Sequence, residues 1–319
     1  LYPLLFESTF HYRIWGGDKL KNLGKNINEE KIGESWEIST VPGFVSKVSN
    51  GELLGKDINE LLDEYQEKLV GSRVYQEYGK QFPLLIKFLD AATPLSVQVH
   101  PDDEYAKEHH NSLGKTEMWY ILDAEKESEI ILGFEKNVNK EVYTKNVEEG
   151  TIETILRKIH PEKEDVVFIP SGRVHAMGEE LVIAEIQQTS DITYRIYDYN
   201  RIDKDGNKRE LHTEQAKNVA DFSFIEEPLV KYDKDSSESV LVTCPYFTTS
   251  RFIITENKKI KDMPESFRIL ICIEGNCIIE SNAGPVEITR GQTVLLPADL
   301  KNVELKPKEK TVVLEVHIE

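Results

Sequence analysis

Apolar and polar residues alternate in short runs along most of this chain, and turn-forming residues separate the runs. Such runs are typical of β-strands. In the first two thirds the predicted strands are Leu84–Leu89, Leu95–His100, Met118–Leu122, Glu129–Gly133, Val166–Pro170, Val182–Thr189 and Thr193–Tyr199. In the last third they are Phe247–Thr255, Phe267–Glu274, Asn276–Ser281, Val286–Thr289, Thr293–Pro297 and Thr311–His317. Short strands at even spacing predict a mainly β fold of the sandwich or barrel type.

A few segments have helical periodicity instead. The clearest is Asp57–Leu69, whose apolar residues fall on one face, and Asp57 and Glu60 form a capping box at its start. The other predicted helices are Asp102–His110, Lys140–Val147, Thr151–Lys158 and Thr213–Ala220.

The stretch from Pro228 to Glu238 is charged and serine-rich, which predicts a linker. A length of 319 residues is also enough for about two domains. We therefore expect two β-barrels, a catalytic one with helical additions over residues 1–230 and a second over residues 239–319.

Composition and charge exclude several classes of partner. No apolar run approaches the roughly 20 residues that span a bilayer. The formal charge of −18 argues against nucleic acid and anionic membranes, because both bind basic surfaces. The three cysteines form no C-x-x-C pair, which favours a reducing compartment and predicts a cytoplasmic protein. An anionic substrate would need a local cluster of positive charge. The sequence leaves the oligomeric state open.

Three segments carry residues suited to bind a metal ion. On the strand Pro94–Pro101, the side chains of Ser96, Gln98 and His100 share one face. Glu117 lies on a second strand, and His175 ends a Pro/Gly turn after a third. Two imidazoles and a carboxylate, with Gln98 as a possible fourth donor, suit zinc or another divalent transition metal.

The same segments resemble a known superfamily. The turn Pro170-Ser-Gly-Arg-Val-His175 resembles the second half of the cupin motif, and the strand from Glu117 resembles the one that carries the cupin glutamate. The first half departs from that motif, because Gln98 stands where cupins usually have a histidine. A helical insertion also separates His100 from Glu117.

Longer motifs resemble a narrower family, the type I mannose-6-phosphate isomerases in a short form. These motifs are Gln98-Val-His-Pro101, Lys115-Thr-Glu-Met-Trp-Tyr120 and Gln187-Gln-Thr-Ser-Asp-Ile-Thr-Tyr-Arg-Ile-Tyr-Asp198, with Trp15-Gly-Gly17 and Gly33-Glu-Ser-Trp-Glu-Ile-Ser39 near the start. The resemblance implies jelly-roll barrels, one zinc ion per chain and interconversion of mannose 6-phosphate and fructose 6-phosphate. In the C-terminal barrel Asn302 stands where the metal histidine is expected, so that barrel should bind no metal.

The resemblance also implies roles for further residues. Arg195 matches the catalytic arginine of the family, and Lys87 and Ser96 fall at the phosphate end of the site. Lys115 should point toward the cavity, where it could transfer a proton or bind an anionic oxygen, unless it is an ordinary surface lysine. Glu185 is a further base or substrate-binding candidate. The sequence does not decide which group moves the proton.

Two other functions are compatible with the same metal ligands. Two histidines and a carboxylate also describe the iron site of a non-haem cupin oxygenase. A non-catalytic sugar-binding cupin is the third possibility, although such a protein would be expected to lose its metal ligands.

Overall fold

The computed structural model describes residues 1–203 and 206–319, and within them the chain is mainly β with few helices. The strands of the first two thirds are Leu4–Leu5 (β1), Thr9–Tyr12 (β2), Ile32–Ile38 (β3), Leu84–Ala91 (β4), Val97–Val99 (β5), Glu117–Ala124 (β6), Ile130–Phe134 (β7), Leu156–Ile159 (β8), Val166–Ile169 (β9), His175–Met177 (β10), Leu181–Gln188 (β11) and Tyr194–Tyr197 (β12). The later strands are Glu238–Thr243 (β13), Thr248–Ile254 (β14), Lys258–Lys259 (β15), Arg268–Glu274 (β16), Asn276–Glu280 (β17), Val286–Thr289 (β18), Thr293–Leu296 (β19), Glu304–Pro307 (β20) and Thr311–His317 (β21). The mainly β fold predicted from the alternation is confirmed.

The helices lie mostly between strands of the first two thirds. They are Ile58–Tyr65 (α1), Glu67–Val70 (α2), Ser72–Tyr78 (α3), Asp103–His110 (α4), Lys140–Glu149 (α5) and Thr213–Val219 (α6), with 3₁₀ helices at Lys19–Leu23 and Ile152–Ile155. Within the described part of the chain, every helix is too short or too polar to cross a bilayer.

The strands form separate sheets in the two parts of the chain. The first part has a six-stranded sheet in the order β2-β3-β4-β11-β6-β9 and a five-stranded sheet in the order β12-β5-β10-β7-β8. The second part has the sheets β1-β19-β16-β21-β14-β13 and β15-β20-β17-β18. The first of these recruits β1 from the N-terminus, where Leu4 pairs with Leu295.

A continuous hydrophobic core joins the two parts. One cluster of buried side chains contains Phe82 and Leu84 from the first part together with Phe267 and Ile269 from the second. The rings of Phe82 and Phe267 lie 4.9 Å apart. The two parts thus share a hydrophobic core, and β1 of the first part belongs to a sheet of the second. The division into domains over residues 1–230 and 239–319 stays a prediction.

Two helical predictions are wrong in part. In Thr151–Lys158, only Ile152–Ile155 is helical, and the rest belongs to β8, where Lys158 pairs with Ile131 of β7. Residues 156–159 pair with β7, and this pairing outweighs the local helical pattern of the sequence. The helix predicted over Asp57–Leu69 is interrupted at Gln66, whose φ of 48° ends α1. Its predicted capping box is present.

The register of the six-stranded sheet sets up the site. Lys87 of β4 is directly opposite Trp36 of β3 on one side and Glu185 of β11 on the other. Glu185 in turn is opposite Trp119 of β6. Cross-strand partners point to the same face of a sheet, so these four side chains form one row.

Candidate active site

A polar cavity of about 460 Å³ lies between the two sheets of the first part of the chain. Its lining comes from strands of both sheets and from connecting segments, among them those that follow β2 and β12. The lining residues are Arg13, Trp15, Glu34, Trp36, Lys87, Leu89, Leu95, Ser96, Gln98, Lys115, Trp119, Glu185, Asp191, Thr193, Arg195, Arg209 and His212.

The predicted metal ligands lie together behind the inner wall of this cavity. Potential ligand atoms of His100, Glu117 and His175 are all within 4.8 Å of one another, and all three residues are buried. His175 Nε2 lies 3.2 Å from Glu117 Oε1, and His100 Nε2 lies 3.6 Å from Glu117 Oε2. The structure therefore brings these residues together from β10, β6 and the end of β5.

Hydrogen bonds fix which ring nitrogens are available to a metal ion. His100 Nδ1 donates to the carbonyl of Ile192 at 2.8 Å, and His175 Nδ1 donates to the carbonyl of Arg173 at 2.9 Å. A carbonyl can only accept, so each Nδ1 carries the proton and each Nε2 has a free lone pair. His100 Nε2 and both Glu117 oxygens are buried and make no hydrogen bond, although Glu117 Oε2 has an ion pair with Lys115. Buried polar atoms left without partners are what a bound cation would satisfy.

The electrostatics of these groups suit metal binding. Burial, helped by the charge of Lys115, holds the pKa of His100 well below its usual value, so its imidazole is neutral. Burial alone would raise the pKa of Glu117, but the opposing contributions, of which the charge of Lys115 is the largest, outweigh it and hold that pKa well below normal. Metal ions bind neutral imidazoles and ionised carboxylates, which are the forms favoured at His100 and Glu117.

Gln98 and Lys115 lie between the metal cluster and the cavity. The Gln98 amide is 3.3 Å from His175 Nε2, and these two residues are directly paired across β5 and β10. Lys115 Nζ is 3.2 Å from Glu117 Oε2. Although burial alone would lower the pKa of Lys115, the charges of Glu117 and Glu185 raise it, so the ammonium form persists. Lys115 is buried, which excludes the interpretation as a surface lysine.

The remaining predicted residues occupy the outer part of the cavity. Lys87 Nζ is 3.3 Å from Glu185 Oε2, and Trp119 Nε1 donates to Glu185 Oε1 at 3.0 Å. On the opposite sheet, Arg195 Nε donates to Ser96 Oγ at 3.3 Å. All predicted candidate residues thus lie either in the cavity lining or in the metal cluster.

Sequence reasoning missed a group of residues from β2 to β3 that also line the cavity. Arg13 binds both carboxylate oxygens of Glu34 at 2.9 Å, and Trp36 Nε1 donates to Glu34 Oε2 at 2.7 Å. Lys87 Nζ lies 4.9 Å from the centroid of the Trp36 ring. The spacing of Glu34 and Trp36, two apart on one strand, is a signal from which their shared face could have been predicted.

Arg209 and His212 were also missed, because they lie in a loop with no regular pattern. His212 Nδ1 accepts from the backbone N–H of Arg195 at 3.2 Å, and the backbone N–H of His212 donates to the Arg195 carbonyl at 2.7 Å. Arg209 pairs with the buried carboxylate of Asp198. These contacts bring the side chains of Arg209 and His212 to the cavity, and no local sequence pattern predicts them.

The charge of the cavity is opposite to that of the chain as a whole. Among the described lining residues, basic side chains outnumber acidic ones, with Arg13, Lys87, Lys115, Arg195 and Arg209 against Glu34, Glu185 and Asp191. The formal charge of the chain is −18. The local cluster of positive charge that an anionic substrate would require is therefore present.

Comparison with known proteins gives a consistent picture. Residues 4–144 match the model of the type I phosphomannose isomerase catalytic domain, and residues 237–316 match that of the mannose-6-phosphate isomerase cupin domain. Mannose-6-phosphate isomerase ManA of Bacillus subtilis is 37% identical over 308 residues, which cover 95% of this chain and 96% of that protein. Mannose-6-phosphate isomerase of Streptococcus mutans is 37% identical over 303 residues, covering 94% of both chains.

The similarity in sequence is accompanied by similarity of the fold to a solved structure. The crystal structure of mannose 6-phosphate isomerase from Bacillus subtilis superposes with a TM-score of 0.88 at 34% identity and covers 100% of both chains. Sequence and structure thus agree over nearly the whole length, and the chain belongs to the type I mannose-6-phosphate isomerase family of the cupin superfamily.

Proposed function

We propose that this protein is a zinc-dependent aldose–ketose isomerase that interconverts mannose 6-phosphate and fructose 6-phosphate. The observation that carries the proposal is the buried cluster of His100, Glu117 and His175 directly behind a cavity lined by basic side chains. Family membership favours this reaction over the oxygenase and sugar-binding alternatives.

The metal ion is proposed to bind His100 Nε2, His175 Nε2 and a Glu117 oxygen, with the Gln98 carbonyl oxygen as a fourth ligand. Rotation of the Gln98 amide by half a turn exchanges its nitrogen and oxygen, which have similar shapes. The donor set carries one negative charge, so a bound divalent ion would keep positive charge and act as a Lewis acid on sugar oxygens. No electron leaves the substrate in an isomerisation, so a redox-inert ion such as zinc is sufficient.

The proposed roles of the cavity residues follow from their positions. Isomerisation moves a proton between adjacent carbons through an enediol-type intermediate, whose oxygens carry developing negative charge. Arg195 presents a fixed positive charge beside Ser96, which suits that charge. Lys115 is proposed to donate a proton or a hydrogen bond to a substrate oxygen from its ammonium form. Glu185 and Lys87 form a cross-strand pair available for proton transfer and substrate binding.

Residues 1–230 are proposed to be the catalytic domain and residues 239–319 a metal-free domain. The candidate ligands and cavity residues all come from the first range. In the second range, Asn302 replaces the expected metal histidine.

The decisive experiment measures fructose 6-phosphate formed from mannose 6-phosphate before and after metal removal by a chelator. We expect activity in the zinc-loaded protein, loss after chelation and recovery when zinc is returned. Metal analysis should find one zinc per chain, and His175→Ala should lose both metal and activity. A zinc-loaded protein without isomerase activity would refute the function, and stoichiometric iron with oxygen uptake would favour the oxygenase.

A further inference from the structure

The short segment Gly114–Thr116 ends the connection between α4 and β6 and carries Lys115 into the site. The Lys115 backbone N–H donates to the carbonyl of Pro101 at 3.1 Å. At Gly114 a Cβ atom would lie 2.5 Å from the carbonyl carbon of Asp102, so only glycine allows this approach. The segment is therefore packed directly against the start of α4.

Two polar side chains hold this segment on either side of Lys115. Asp103 Oδ1 accepts from the Gly114 N–H at 2.7 Å, and Gln188 Oε1 accepts from the Thr116 N–H at 2.8 Å. Gln188 Nε2 also donates to Asp103 Oδ1 at 3.0 Å, which closes the network. The backbone N–H groups of both neighbours of Lys115 are thus hydrogen-bonded to side chains, and those two side chains are hydrogen-bonded to each other.

The network connects the elements that supply the candidate catalytic groups. Gln188 ends β11, the strand that carries Glu185, and it is only 2% exposed. Asp103 opens α4, which follows the metal-ligating segment at His100. A partly buried side-chain network at such a junction limits how far Lys115 can move relative to Glu117.

We propose that Asp103 and Gln188 are positioning residues that hold the Lys115 ammonium in place against Glu117 and the substrate cavity. The proposal rests on the isomerase function proposed above. Neither residue lines the cavity, so both act through the Lys115 backbone.

The C-terminal part of the chain also reaches this network. Tyr246, between β13 and β14, lies close enough to interact with the Asp103 carboxylate, and burial together with this interaction raises the pKa of the phenol. Residues 239–319 thereby contribute one contact to the support of Lys115, in addition to covering the first part.

The first test compares Asp103→Ala with Asp103→Asn. Alanine removes the acceptor for Gly114 and Gln188, and we expect kcat to fall by about 10- to 100-fold with KM changed by less than about threefold. Asparagine keeps Oδ1, so it should restore most of the activity. Glu104→Ala, at the exposed neighbouring position on α4, is the matched control and should behave like wild type.

The second test asks whether the effect passes through Lys115. In a Lys115→Ala background, Asp103→Ala should lower kcat no further, because the group that Asp103 positions is already absent. Gln188→Glu keeps the acceptor for Thr116 but places a second carboxylate at Asp103, and it should reproduce the loss seen with Asp103→Ala. Equal losses in both Lys115 backgrounds would overturn the proposal and leave Asp103 a merely structural role.

A readout independent of activity separates this proposal from the proposed function. Amide hydrogen exchange across residues 114–116 should be slow in wild type and Asp103→Asn, and at least about tenfold faster in Asp103→Ala. If exchange is faster in Asp103→Ala but the wild-type protein has no isomerase activity, the role of the network would be supported and the proposed function rejected. Unchanged exchange in Asp103→Ala would reject the network whatever the activity.

Discussion

Lys87 is a buried cation in a mostly apolar strand, and the structure shows how it is accommodated. Its ammonium pairs with Glu185 across β4 and β11 and lies over the Trp36 ring. A charge buried without such partners would be strongly unfavourable. The pairing leaves Lys87 in the cavity lining, the position from which it is proposed to bind an anionic group of the substrate.

Replacing Lys87 by alanine should therefore weaken substrate binding more than it slows turnover. A hydrogen bond to a charged group contributes about 1.5–3 kcal/mol, so KM for mannose 6-phosphate should rise roughly 10- to 100-fold. Steady-state kinetics on the zinc-loaded variant measure the effect, and Lys126→Ala at an exposed turn is the control. An unchanged KM would remove Lys87 from the binding site.

Glu34 has a different electrostatic environment, in which stabilising charges outweigh burial. Burial alone would raise its pKa, but Lys87 and Arg13 lower the pKa from 4.5 to about 2. A carboxyl whose pKa is lower in the folded state stabilises the fold above its unfolded pKa, and this contribution is lost as the pH falls from about 4.5 to about 2. At neutral pH the shift corresponds to about 3 kcal/mol.

Glu34→Gln should consequently reduce the free energy of unfolding in a pH-dependent way. We expect the difference from wild type to be about 3 kcal/mol at pH 7 and about half of that at pH 3. Denaturant unfolding of both proteins at the two pH values measures it. A difference that does not change with pH would show that the ion pair with Arg13 and the nearby charge of Lys87 do not stabilise the fold.

At the scale of elements, every predicted strand is present in the structure, whereas β1–β3, β8, β10, β13, β15 and β20 were not predicted. Alternation placed Ser96, Gln98 and His100 on one face of a strand, and the cavity lining confirms this for Ser96 and Gln98. These predictions succeed because a strand has a fixed period of two, which sequence spacing records directly. The start of α1 was predictable for a similar reason, since a capping box is local.

Elements whose conformation depends on distant partners were not predictable. The segment after Ile155 becomes β8 because β7 offers an edge, and nothing within residues 151–158 reveals that partner. Arg209 and His212 reach the cavity because a loop pairs back onto Arg195. In each case a contact between residues distant in sequence determines the local conformation, and a single sequence does not show such contacts.

At the scale of the whole molecule, the charge of the cavity differs in sign from the net charge of the chain. The chain carries a formal charge of −18, yet its cavity presents more basic than acidic side chains. Partial enclosure lowers the local dielectric constant, so these cations act on a bound ligand more strongly than the distant surface acids do. The acidic surface therefore does not prevent binding of a phosphosugar in the cavity.

The shared core predicts that the two parts of the chain unfold together. All three tryptophans, Trp15, Trp36 and Trp119, line the cavity in the first part, so their fluorescence reports that part alone. Far-UV circular dichroism reports the strands of both parts. Because Phe82 and Phe267 pack in one cluster across the division, denaturant curves from the two probes should coincide.

A substitution in the second part provides the sharper test of this cooperativity. Phe267→Ala removes a fully buried ring and should lower the free energy of unfolding by about 3–5 kcal/mol. Although Phe267 lies far from the tryptophans in sequence, we expect it to shift the fluorescence and dichroism midpoints by the same amount. Val240→Ala, at an exposed position of the same part, should shift neither. If Phe267→Ala moved the dichroism midpoint but left the tryptophan midpoint unchanged, residues 1–230 would be an independently stable domain, because their core would not need the C-terminal part.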